Sequence, residues 1–105
     1  MDYESFVSVR VAQLRQEKGA SARDMSLSIG QNVNYINHIE NQKAEPSLLG
    51  LYYICDYFGI TPQEFFDDGN KTPMRLKEFM ENVKQLDENE LLHLSNFIAE
   101  ILKKR

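Results

Sequence analysis

Asparagines at 32, 34, 37 and 41, with His38 among them, crowd amide and imidazole groups into the stretch Ser21 to Asn41. An amide carries both donors and acceptors, so such a cluster offers hydrogen-bonding chemistry rather than proton transfer or nucleophilic attack. Nothing else in the chain supplies a reaction. The single cysteine, Cys55, leaves no internal disulfide and no cysteine-cluster metal site. His38 and His93 stand far apart without neighbouring thiols, so they do not make a metal centre by themselves. No nucleophile stands at useful spacing from a base, no glycine-rich loop is present, and the many acids form no plausible catalytic pair. The chain reads as a non-enzyme that needs no cofactor.

The elements that must position the asparagines are two short helices joined at Gly30. Ser21 can cap the first, with Asp24 three residues on as a weaker capping-box partner, and Met25 and Ile29 make its inward stripe. Gly30 suits a turn that needs positive φ, and Asn32 is a natural N-cap for a second helix over Val33 to about Glu40. Ile36 and Ile39 would face inward there. Val33, Asn34, Asn37 and His38 would face outward, a row that is either solvated or reads a partner.

The flanking chain is helical by pattern. Val7, Val11 and Leu14 place a helix over about Tyr3 to Lys18, closed by Gly19. Ser47 opens another, with Leu48, Leu51, Ile54, Cys55 and Phe58 toward the core. Thr61-Pro62-Gln63-Glu64 is a strong start signal for a fifth helix, after which Phe65 and Phe66 are expected to plug the core. Thr72-Pro73 opens a helix with the stripe Leu76, Phe79, Met80 and Val83, and Asp87 with Glu90 caps a last one ending near Lys103. Leu91, Leu94, Phe97, Ile98, Ile101 and Leu102 spread around more of that last helix than one neighbour covers, and are expected to form a dimer surface.

The spacing of Ser26, Gly30, Ile36 and Ile39 resembles the helix-turn-helix of the lambda-repressor-like Xre family, where a small residue lets the two helices approach closely. The likeness extends through Leu14-Arg15, Lys18-Gly19, Ile39-Glu40-Asn41, Pro46-Ser47 and Phe58-Gly59-Ile60, over roughly residues 5 to 68. The expected fold is all-α: a five-helix lambda-repressor-like helix-turn-helix DNA-binding domain over 1–70, as the resemblance implies, then a C-terminal helical hairpin over 71–105.

By the same resemblance, Asn32, Val33, Asn34, Asn37 and His38 would read bases in a major groove, asparagine matching adenine N6 and N7 and valine a thymine methyl. Arg10, Lys18, Arg23 and Lys43 would contact phosphates, with Ser21 and Ala22 at the start of the second helix and Asn41 after the third. Arg15 and Glu40 stand where the family commonly pairs an arginine with a glutamate, a structural role. This sequence departs from the pattern at Ala22, commonly glutamine, at Gln31, commonly apolar, and at Gln42, commonly glycine. The third helix also carries no arginine or lysine, so readout would rest on asparagine and on DNA shape.

With 105 residues, 42% of them hydrophobic, the chain can bury one core, and no apolar tract is long enough to span a membrane. The amino-terminal residues lack a basic region followed by an apolar run, so they are not a secretory signal, and the expected location is the cytoplasm. Net charge is −4. Up to Asn70, five basic residues stand against ten acidic ones, leaving that part at −5; seven against six leave the remainder at +1. The helix-turn-helix part is therefore the acidic part, which lowers the expected affinity for DNA without excluding it. The leading function is a sequence-specific transcriptional regulator, a repressor that binds a double-stranded operator as a homodimer. The alternative is a protein-interaction module on the same scaffold, such as an antitoxin or a binder of a partner regulator.

Overall fold

The computed structural model describes residues 2–105, the side chain of Glu4 excepted. Its helices are α1 (Tyr3–Lys18), α2 (Ala22–Ser28), α3 (Tyr35–Glu40), α4 (Leu48–Phe58), α5 (Pro62–Phe65), α6 (Pro73–Val83) and α7 (Glu88–Lys103), and no strand occurs among the described residues. They divide into two compact units, one ending at Met74 and the other running Arg75–Arg105. The division falls a few residues beyond Asn70 because Pro73 is buried and Met74 packs against the core of the first unit.

That core is built from the stripes the periodicity predicts. Val7, Val11 and Leu14 of α1 meet Met25 of α2, Ile36 and Ile39 of α3, and Leu51, Ile54, Cys55 and Phe58 of α4, closed by Ile60 and Phe65. Each such side chain contributes about 1.5–3 kcal/mol by leaving water, which is what holds helices as short as α2 and α3, too short to persist alone. Two expected members are missing. Leu48 lies on the outer side of α4's first turn and is exposed, and Phe66 stays partly exposed, its ring stacked on Phe6 at 5.7 Å between centroids.

The helix ends follow local chemistry. Ser21 Oγ accepts from the Asp24 amide, Ser47 Oγ from Gly50 and Thr61 Oγ1 from Glu64, while the Glu64 carboxylate returns a bond to the Thr61 amide. Gly30 takes φ 76°, the left-handed region that lets the chain reverse between α2 and α3. Ser26 then joins the two helices. Its hydroxyl donates to Ala22 O at 2.7 Å and accepts from the Ile36 amide at 3.0 Å, so a fully buried small side chain satisfies a backbone donor in the first turn of α3. A larger residue there would push the helices apart.

The second unit holds α6 from Arg75 onward and α7, joined through residues 84–87. Asp87 Oδ1 accepts from the Glu90 amide and Glu90 Oε1 from the Asp87 amide, a complete capping box. No side chain of α7 is buried.

Candidate nucleic-acid interface

The row of asparagines begins earlier than the helix it was expected to line. Asn32 Oδ1 accepts from the Asn34 amide at 2.9 Å, a side-chain turn that competes with the helix, and α3 starts only at Tyr35. Asn32 is therefore not an N-cap, and Val33 and Asn34 lie in the turn that leads into α3 rather than on its face. Val33 is half-buried; Asn32, Asn34, Asn37 and His38 are exposed. Tyr35 anchors the start of α3 beside α4, close enough that a Cβ on Gly50 would come within 2.5 Å of its hydroxyl. Burial pushes that phenol above its ordinary pKa.

Asn37 and Asn41 act together. Asn41 Nδ2 donates to Asn37 O at 2.8 Å and to Asn37 Oδ1 at 2.9 Å, one turn apart on α3. Those bonds engage the side-chain donor group of Asn41, which was expected at a phosphate, in bracing Asn37. Beyond it the chain reverses at Gln42, whose φ of 58° makes it the only non-glycine with positive φ among the described residues. The Gln42 amide bonds Ile39 O and the Lys43 amide bonds His38 O, the paired closure of a left-handed helix cap. That geometry explains the preference for glycine at this point in the resembling family.

The basic residues part into two groups. Arg10, expected on the DNA backbone, is only 2% exposed. Its guanidinium donates to Phe65 O, Glu64 O, Asp67 O and Asn70 O at 2.7–3.1 Å and to Gln13 Oε1 at 2.7 Å, capping the carboxyl end of α5. Burial lowers its pKa, opposed by Asp67, Glu17 and Asp68, and it has no route to a phosphate. Lys18 is exposed; its ammonium donates to Tyr57 O at 2.9 Å and lies over the Tyr57 ring, linking α1 to the end of α4. Arg15 holds Glu40 through two bonds, Nε to Oε2 at 2.7 Å and Nη2 to Oε1 at 2.9 Å, and bonds Ala20 O with Nη1. Its hydrogen bond to Glu40 raises its pKa against the effect of burial. Arg23 and Lys43 remain, exposed at the start of α2 and just past α3, with no ion pair or side-chain hydrogen bond among the described residues. Ser21, two residues before Arg23, is exposed with its hydroxyl oxygen capping α2, whereas the Ala22 side chain packs on the core.

A cleft of about 390 Å³ runs between α1 and α3, lined by Gln13 and Gln16 of α1 and by Asn37, Glu40 and Asn41 of α3. The two glutamines escaped the sequence reading. Their signal was the stripe Val9, Gln13, Gln16, at four- and three-residue spacing beside the core stripe of α1.

The described residues contain no group of three or more His, Cys, Asp or Glu able to hold a metal ion, and no helix is long and apolar enough to cross a membrane.

A bundle of short helices clamped at Ser26, with a turn at Gly30 and a mostly polar third helix, defines a helix-turn-helix. The family model for the helix-turn-helix domain matches residues 9–71, and the chain belongs to that family. It is similar to an uncharacterized HTH-type transcriptional regulator, y4dJ, of Sinorhizobium fredii, with 26% identity over 73 residues that cover 70% of this chain and 95% of the relative. No solved structure matches the chain.

Proposed function

We propose that the chain is a sequence-specific DNA-binding transcriptional regulator of the Xre type, a repressor that acts as a homodimer on a double-stranded operator. The observation that carries this reading is the exposed Asn32, Asn34, Asn37 and His38, held by the turn after Gly30 and by the Asn41 brace. Asn37 and His38 on α3 meet base edges, and Asn32 and Asn34 approach from the turn before it. Arg23 and Lys43 flank that surface and contact phosphates. The name of the Sinorhizobium relative agrees with this role. A selection from random duplex DNA tests it: an enriched motif, paired about a two-fold centre, is the expected outcome. Recovery of no motif, with binding insensitive to salt, overturns it.

A second reading has its own observation. Arg10 is buried and Arg15 is paired with Glu40, while the exposed Lys18 is bonded to Tyr57 O, so the acidic first unit shows little unengaged positive charge to a duplex. The same scaffold would then bind a protein partner, and the failed selection just described is its discriminating result.

A further inference from the structure

The charges of α7 are sorted to its two ends. Asp87, Glu88 and Glu90 stand at its start and Lys103, Lys104 and Arg105 at its finish, with Glu100 and His93 the only other acidic or basic residues along it. Between those ends Leu91, Leu94, Ile98 and Ile101 follow one another at three, four and three residues, the spacing of a helix seam. None of them is buried; Ile98 is 41% exposed and Ile101 43%. Arg75–Arg105 carries six basic and six acidic residues, so net repulsion does not oppose a second copy.

We propose that the seam of the dimer is α7 packed antiparallel against α7 of a second copy of this chain. A copy running in the same direction would set acid against acid at one end and base against base at the other. Running in the opposite direction, it sets each acidic end against a basic one and opposes the helix dipoles. A two-fold axis level with Asn96 places Leu91 against Ile101 of the partner subunit, Leu94 against Ile98 of the partner subunit, and Glu88 against Lys104 of the partner subunit. Each pairing occurs twice, as a closed two-fold interface requires. The seam rests on the homodimer reading above, and its direction is tested without DNA.

Sedimentation of the full chain at tens of micromolar should show a dimer, and Ile98→Asp a monomer. Glu88→Lys and Lys104→Glu should each weaken dimerisation by about tenfold, since two exposed ion pairs turn repulsive, and the two together should restore it. That rescue does not depend on how well Ile98→Asp folds. Chains carrying Glu88→Cys mixed with chains carrying Lys104→Cys should form a mixed disulfide, and neither should link to itself. The native thiol does not compete, because Cys55 is buried. A dimer in which each variant links only to itself overturns the antiparallel seam while leaving the pairing of copies. A monomeric parent chain overturns both, and the DNA selection then decides the regulator reading separately.

Discussion

Arg15 and Glu40 meet in two parallel hydrogen bonds of 2.7 and 2.9 Å, fastening the last turn of α1 to the last residue of α3. Their side chains are 20% and 13% exposed, dry enough that removing one partner strands the other. Arg15→Ala or Glu40→Ala should each cost about 2–3 kcal/mol. The double variant should lose far less than the sum. Denaturant titration of the four proteins measures the coupling, and additive losses would mean that the pair does not hold α3 in place.

The closure of α3 at Gln42 holds a branched-free but non-glycine residue in the left-handed region. That conformation costs an L-residue about 1–2 kcal/mol, while glycine brings an extra entropy loss of about 0.5–1 kcal/mol on folding. Gln42→Gly should therefore stabilise the protein by roughly 0.5–1 kcal/mol, read as a higher urea midpoint at unchanged slope. A lower midpoint would mean that the glutamine side chain contributes contacts outweighing its backbone cost.

What was legible in the sequence was local. Ser21, Ser47 and Thr61-Pro62-Gln63-Glu64 cap helices because their partners lie three residues away, and the core stripes follow from the helical period. The start of α3 was misread because an asparagine before a helix has two uses: Asn32 accepts from the amide two residues on and holds a turn instead of capping. Arg10 was misread for a different reason. Its carbonyl partners at Glu64 and Phe65 lie 54 and 55 residues away, and no spacing rule announces a contact that only folding creates.

That sequestration changes the expected salt dependence. With Arg10 buried, Arg15 paired with Glu40 and Lys18 bonded at the surface to Tyr57 O, Arg23 and Lys43 would leave about two phosphates neutralised per protomer, so a dimer should show a log–log slope of roughly −3 to −4. Arg23→Ala should make the slope shallower by about 2, one phosphate in each protomer. Arg10→Lys should leave the slope unchanged but lower stability, because an ammonium cannot reproduce the fork of bonds to the end of α5. A shallower slope in Arg10→Lys would return Arg10 to the DNA surface.

Cys55 gives the core a pH limit. Burial, with Asp56 adding to it, pushes its thiol up to about 11 from an ordinary 9.0. The unfolded chain then releases this proton at lower pH than the folded one. Stability from this group is fully present below pH 9 and is lost as the pH climbs to about 11, by about 1.4 kcal/mol per unit. Cys55→Ala should cost stability at neutral pH through the cavity it leaves, yet decline less steeply above pH 9. Parallel decline in both proteins would assign the alkaline loss to other groups.

If Asn37 meets a base, the brace from Asn41 favours one kind of base edge. With Oδ1 of Asn37 accepting from Asn41 Nδ2, its amide presents donors outward, and the matching partners in a major groove are acceptors such as guanine O6 and N7 or thymine O4. Adenine, expected from the residue type alone, needs the donor and the acceptor of one amide together. A selection with the parent protein should therefore enrich guanine or thymine at the position that Asn37→Ala relaxes, with about 1 kcal/mol of discrimination for a single-sided contact. Asn41→Ala removes the brace and lets the Asn37 amide turn. Preference at that same position should move toward adenine, while positions read from Asn32 and Asn34 keep theirs. If adenine already dominates there with the parent protein, the brace does not survive contact with DNA and Asn37 is oriented by the base itself.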